Sequence, residues 1–310
     1  MLETLKCTMS VRLGRTRTAA FAGLVLAVLC TLAPAARAAA VEGVHLVPSA
    51  PLTGSWSPRT VTAYCPFGER AIGGGGSITD TIPSSRKLAL TQLQPFHITG
   101  DPDGTSAGYT VTAVETAPTN LNWSLTAYAM CAKPIPGMNI YTSPPQPASS
   151  APVRATAAVC PAGQRVIGTG ARSSDSSGQV VLQVARPSHP GDIARAQAHE
   201  VPSGYPGSWT VTAYAICAPP PSGYEVVVDE SGLRASEPVK EAGGSPVEGC
   251  TGGRQLLSPG AAISNIAPGN VSLNTVFPYV AVQQGYAVAV ENTPTLLNWD
   301  FIVATSVCSY

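Results

Sequence analysis

From residue 60 onward the chain is a succession of short runs in which apolar and polar positions alternate. The clearest runs from Trp123 to Cys131, where Trp123, Leu125, Ala127, Ala129 and Cys131 share one face by the two-residue period of a strand. Ser124, Thr126, Tyr128 and Met130 take the other face. The same pattern predicts strands over Thr60–Cys65, Arg70–Ile78, Leu88–Gln94, Tyr109–Val114 and Trp123–Cys131. Only 12% of residues are charged, while Gly and Pro number 30 and 29, a balance that suits many short strands and frequent turns. Long amphipathic helices are not expected, and the predicted fold class is all-β.

The N-terminus breaks this pattern. Arg12, Arg15 and Arg17 precede an apolar run from Ala19 to Leu32, and Ala36-Arg37-Ala38 follows with small residues at the two positions a signal peptidase reads. At about 14 residues the run is too short to span a hydrocarbon core of about 30 Å as a helix. Residues 1–38 therefore read as a cleaved signal peptide, which places the mature protein outside the cell. No later segment is long and apolar enough to predict a membrane span. Removing residues 1–38 takes away five basic residues and one acidic one, leaving 13 against 17 and a net charge of −4. No basic face of the kind a nucleic acid needs is visible.

Without Cys7 and Cys30, six cysteines remain, and an even number in an exported chain points to disulfides. Six cysteines allow 15 connectivities, but internal repetition narrows them. Cys65-Pro-Phe-Gly-Glu-Arg, Cys160-Pro-Ala-Gly-Gln-Arg and Cys250-Thr-Gly-Gly-Arg open three related phrases. Trp123-Ser-Leu-Thr-Ala-Tyr-Ala-Met-Cys131 closes the first and Trp209-Thr-Val-Thr-Ala-Tyr-Ala-Ile-Cys217 the second. Trp299 to Cys308 closes the third and is one residue longer, so a β-bulge is expected to restore the facing of its strand. The predicted bridges are Cys65–Cys131, Cys160–Cys217 and Cys250–Cys308. Gly43-Val-His-Leu-Val-Pro-Ser49 resembles Gly137-Met-Asn-Ile-Tyr-Thr-Ser143 and, more loosely, Gly223-Tyr-Glu-Val-Val-Val-Asp229, so each unit begins upstream of its first cysteine. The period is about 90 residues. The expected organisation is a signal peptide over 1–38 and β repeats over 39–132, 133–218 and 219–310, packed as one domain. Within the third, Asp229, Glu230, Glu237, Glu241 and Glu248 mark an acidic approach loop, in which Tyr224–Val228 suits a strand.

Three antiparallel sheets about a pseudo-threefold axis would bury one face of each sheet and shield strand edges. That arrangement resembles the β-prism of jacalin-type lectins and of the vitelline membrane outer layer protein. A string of three separate sandwiches is the competing arrangement. The phrase Cys-Pro-x-Gly-x-Arg-x-x-Gly, ending in Trp-x-x-x-x-Tyr-x-x-Cys, is similar to repeats in secreted actinobacterial proteins of unassigned role. The lectin-like architecture implies a non-catalytic binding protein for glycans or another cell-envelope component. An enzyme with a loop-lined site and a structural coat protein are the alternatives.

Candidate chemistry is sparse. Gly73 to Gly76 lacks the Lys-Ser/Thr and helix of a phosphate-cradling loop, and reads as a turn, a bulge or a close approach of strands. Arg70, Arg165 and Arg254 recur just after each first cysteine, and Glu115, Glu200 and Glu291 recur before each tryptophan. This suggests one Arg–Glu pair per repeat, or three equivalent sites offering a guanidinium and a carboxylate to a polar ligand. Trp123, Trp209 and Trp299 are expected in the core beside the disulfides, and Tyr109, Tyr128, Tyr205, Tyr214 and Tyr286 on an exposed stacking surface. His45, His97, His189 and His199 show no metal-ligand spacing, and no nucleophile elbow or His-Glu-x-x-His motif is present. No metal, cofactor or catalytic residue is assigned.

Overall fold

The computed structural model describes residues 38–80, 87–98, 106–175, 177–230, 239–242, 249–263, 269–295, 299 and 302–310. All but the last residue of the expected signal peptide lies outside them, as do Glu237 and Glu248 of the acidic approach. Regular structure in the described residues is entirely β. The first segment carries β1 (His45–Pro48), β2 (Leu52–Gly54), β3 (Arg59–Tyr64), β4 (Arg70–Asp80), β5 (Leu88–His97), β6 (Ala107–Glu115) and β7 (Trp123–Ala132). The second carries β8 (Asn139–Thr142), β9 (Val153–Val159), β10 (Arg165–Ser173), β11 (Val180–Pro187), β12 (Ile193–Glu200) and β13 (Val211–Ala218). The third carries β14 (Glu225–Glu230), β15 (Val239–Ala242), β16 (Gln255–Ile263), β17 (Val271–Tyr279), β18 (Gln284–Glu291) and β19 (Ile302–Ser309). All five strands expected between residues 60 and 131 are present, and β14 occupies the run read at Tyr224–Val228.

The strands form three open antiparallel sheets. The first has the order β1-β7-β4-β17-β18-β15 with β2 also on β7, the second β3-β6-β5-β10-β13-β8, and the third β14-β19-β16-β11-β12-β9. Each sheet thus joins strands from two segments, meeting at the short seams β4–β17, β5–β10 and β11–β16. No segment has a sheet of its own, so the chain does not form three separate sandwiches. Arg37–Tyr310 is instead one compact unit.

The inward faces meet in one core that includes Leu90, Val111, Leu125, Leu182, Ala213, Leu273 and Ala304. Alternation delivers this directly: along β12, Ala194, Ala196 and Ala198 point in while Arg195 and Gln197 point away. A second cluster gathers Ile72, Met130, Ile167, Ile216, Leu257 and Val307. Half of these arrive through a feature that the alternation pattern does not predict. Register slips at Ala71/Gly73, Val166/Gly168 and Leu256/Ser258 leave Ile72, Ile167 and Leu257 as the extra residues of β-bulges. A bulge re-aims the unpaired side chain, and all three are fully buried. Further bulges interrupt β5, β11 and β17.

Of the stretch from Trp299 to Cys308 in which a bulge was expected, residues 300 and 301 lie outside the described residues. On either side the facing is restored. Ile302 and Ala304 join the core as Leu125 and Ala127 do, and Trp299 is as buried as Trp123.

The glycine run lies within β4, as strand and not as loop. Its reason is the seam. A Cβ on Gly75 would stand 1.9 Å from the Val276 carbonyl oxygen of β17. Gly170 faces the Leu93 carbonyl at 2.4 Å and Gly260 the Arg186 Cα at 2.9 Å in the same way. A glycine therefore stands at this position of β4, β10 and β16 alike, where the backbone of another segment packs too closely for any side chain.

Candidate functional site

Each segment straddles two sheets and is stapled at both ends. The three disulfides are Cys65–Cys131, Cys160–Cys217 and Cys250–Cys308, as the repeat predicted. Cys65 follows β3 of the second sheet and Cys131 lies on β7 of the first, so this bridge ties the two sheets together. The other two bridges tie the second to the third and the third to the first. At the opposite end stands a tryptophan. Trp123 begins β7 eight residues before Cys131, roughly 26 Å away along a strand, so the indoles are core residues but do not pack on the cystines.

The recurrent glutamates serve these indoles. Trp123 Nε1 donates to Glu115 Oε1 at 3.2 Å, Trp209 Nε1 to Glu200 Oε1 at 2.9 Å, and Trp299 Nε1 to Glu291 Oε1 at 3.1 Å. Glu115 Oε2 also accepts from the Thr119 amide and Glu200 Oε2 from the Tyr205 amide. The recurrent arginines lie elsewhere. Arg70 is opposite Ala132 while Asp80, at the far end of β4, is opposite Trp123. That separates Arg70 from the Trp123–Glu115 pair by roughly 30 Å of strand. Arg70 donates to the Glu69 carbonyl, Arg165 to the Gln164 carbonyl, and Arg254 forms an ion pair with Glu225 and donates to the Thr251 carbonyl. The expected Arg–Glu pairing is therefore not formed, and these six residues do not assemble three equivalent sites.

A different cation sits at the tryptophans. Arg59 on β3 is buried, with its guanidinium 3.8 Å from the Trp123 ring and 4.5 Å from that of Trp56. It donates to the Trp123 and Trp56 carbonyls. Burial lowers its pKa and the nearby Glu115 carboxylate counters that. Arg154 stands at the same register on β9, 5.9 Å from the Trp209 ring, and Lys240 holds that register on β15. Sequence reading missed this cation, although Arg59 and Arg154 each lie six residues before a first cysteine.

The outward faces differ from sheet to sheet. Taken through the recurrent glycine, matched register rows read Tyr286–Phe277–Gly75–Tyr128 on the first sheet, Thr110–Gln94–Gly170–Tyr214 on the second and Arg195–Arg186–Gly260–Thr305 on the third. On the first sheet the Tyr128 and Phe277 rings meet edge-on at 4.8 Å beside Gly75, with Tyr279 5.9 Å from Phe277. The Tyr128 hydroxyl lies 3.1 Å from Ser77 Oγ. Tyr128 and Tyr286 belong to an aromatic row that is half-buried and not fully exposed, Tyr205 packs partly buried against the core, and Tyr214 is buried. Tyr109 is also buried, with its hydroxyl donating to the Thr169 carbonyl at 2.8 Å, and burial raises its pKa. On the second sheet, Thr60–Thr112 and Thr62–Thr110 hydrogen bonds occupy the side chains.

The third sheet carries a groove of about 330 Å³. Val184, Ala262 and Val303 form its apolar floor, and Arg186, Arg195, Gln197 and Glu230 its polar lining. Arg186 and Arg195 are direct cross-strand partners. Burial and the like charge of Arg195 lower the Arg186 pKa, while Glu230 raises it. Among the described residues no cluster of three His, Cys, Asp or Glu is placed to hold a metal ion, and no helix is long and apolar enough to cross a membrane. No protein-family model matches the chain, and no curated protein matches it.

Proposed function

We propose that this is a secreted, non-catalytic binding protein for a glycan of the cell envelope, built by triplication as a β-prism-like domain. The shared strand plan of the three sheets, with the same bulge, glycine and Trp–Glu bond in each segment, supports the triplication and the prism-like arrangement. Three disulfides fit an oxidising compartment. The recurrent glutamates are held by indole and amide donors, which suits structural duty better than proton transfer.

The observation that carries the reading is the aromatic row on the first sheet. Tyr128, Phe277 and Tyr286 present ring surface on a rigid sheet, with Tyr279 exposed beside them. A pyranose stacks the apolar side of its ring on such a surface, and its hydroxyls then need the polar partners that tyrosine hydroxyls and Ser77 supply. An open sheet face suits a polymer chain better than a small enclosed substrate.

A pull-down with insoluble cell-wall polysaccharide, paired with a glycan array, tests this. Retention on one of them, weakened about tenfold or more by Phe277→Ala with Tyr286→Ala, is expected from the loss of two stacking rings. Silence on both, or undiminished retention by the double variant, removes the reading.

A further inference from the structure

The groove on the third sheet makes a separate case. At the row where the first sheet displays Phe277 and Tyr286 and the second Gln94 and Thr110, the third places two guanidinium groups directly opposite each other. Like charges at directly opposed positions destabilise a strand pair. The second sheet shows that this position accepts an uncharged side chain, so the fold does not require the two arginines.

Their hydrogen-bonding capacity is also unspent. Among the described residues neither Arg186 nor Arg195 forms an ion pair, and the buried Arg186 Nε has no hydrogen-bond partner. Across Gly260 in the same row, the buried Thr305 Oγ1 likewise has none. Gln197, one step along β12, adds an amide to the lining. Glu230 lines the groove as well, from β14 beyond β16 and β19, so the groove is basic at one side and acidic at the other. Between them lies the apolar floor of Val184, Ala262 and Val303.

We propose that this groove binds a phosphomonoester, its dianionic phosphate held by Arg186 and Arg195 and its organic part lying over the apolar floor. Two forked, permanently charged donors match the oxygens of a phosphate, and a doubly charged group offsets both guanidinium charges where a carboxylate offsets one. A volume of about 330 Å³ accommodates the phosphate together with a group the size of one sugar. Glu230 would face hydroxyls of that group and repel a second anion. The site is independent of the aromatic row, and either can fail without the other.

Isothermal titration of the mature, disulfide-bonded protein with glucose 6-phosphate, inorganic phosphate, glucuronate and glucose tests it. Glucose 6-phosphate and inorganic phosphate are expected to bind, glucuronate to bind at least tenfold more weakly, and glucose not to bind. Affinity should rise from pH 5 to pH 7, as the second phosphate proton is lost near pH 6, and fall with added salt. Arg195→Gln, at an exposed position, and Arg186→Gln, which copies Gln94 of the second sheet, should each weaken glucose 6-phosphate by about tenfold or more. Thermal melts establish that the variants fold, and Arg195→Gln alone decides the matter if Arg186→Gln does not. No heat from either phosphate at millimolar concentration, glucuronate binding as tightly as glucose 6-phosphate, or unchanged affinity in the variants would overturn the proposal.

Discussion

Replacing Gly75 with alanine tests the seam that joins the first and third segments. The added Cβ would lie 1.9 Å from the Val276 oxygen, where real Cβ atoms keep at least 3.0 Å. Because the obstacle is backbone, β4 and β17 must part by about an ångström beside the Ser77–Thr275 and Gly76–Val276 pairs of this short seam. Overpacking of this kind costs about 1–3 kcal/mol, and a lost seam hydrogen bond adds about 1 kcal/mol. For a domain of this size each kcal/mol moves Tm by roughly 2–4 °C, so Gly75→Ala should lower it by about 4–16 °C. The neighbouring Gly76→Ala is the internal control. Its Cβ would meet the Val111 side chain at 2.5 Å, but alanine already occupies the matched positions 171 and 261, so a loss of only about 1 kcal/mol is expected. Gly170→Ala should fall between the two and Gly260→Ala should be the mildest of the three seam variants, in the order of their backbone clearances. Scanning calorimetry of the oxidised protein reads all four. A Gly75→Ala protein melting within 2 °C of the parent, or below which Gly76→Ala melts, would refute the account of the seam.

Two other measurements probe the staples and the buried histidine. Glu200→Ala leaves the Trp209 indole and the Tyr205 amide without acceptors and should cost about 1–3 kcal/mol in urea unfolding, whereas Glu200→Gln keeps an oxygen for the indole and should recover part of that; equal losses for both would show that the bond to Trp209 is unimportant. Burial pulls the His199 imidazole from 6.5 down to about 4, so above pH 6.5 neither state takes up the proton and stability is pH-independent on this account. Between about pH 6.5 and 4 only the unfolded chain is protonated, and stability should fall by roughly 3 kcal/mol before levelling off; in His199→Gln that slope should disappear, and its survival would place the pH dependence elsewhere.

The local pattern carries a great deal of this protein. Period-two alternation locates the strands because a half-buried strand has no other way to separate water from core, and the residue at each end is legible from Gly, Pro and the cysteines. Repetition of Cys-Pro-x-Gly-x-Arg and Trp-x-x-x-x-Tyr-x-x-Cys in the first two segments, with the looser Cys250-Thr-Gly-Gly-Arg and Trp299–Cys308 in the third, is enough to pair all six cysteines correctly, since each phrase marks the same place in its segment. Tertiary structure decided the rest. Alternation says which side chains share a face, but not which strand lies alongside, so the sharing of every sheet between two segments is invisible until β17, β5 and β11 are seen against β4, β10 and β16. The glycines at 75, 170 and 260 are explained only by those neighbours. Regular recurrence of Arg70 and Glu115 suggested an ion pair because spacing along the chain was taken for proximity, yet a strand of ten residues carries its ends roughly 30 Å apart. The glutamate meets the tryptophan instead, across the corner between two sheets. Likewise Arg186 and Arg195 are unremarkable in sequence, nine residues apart on either side of a turn; antiparallel register alone sets them face to face over the groove.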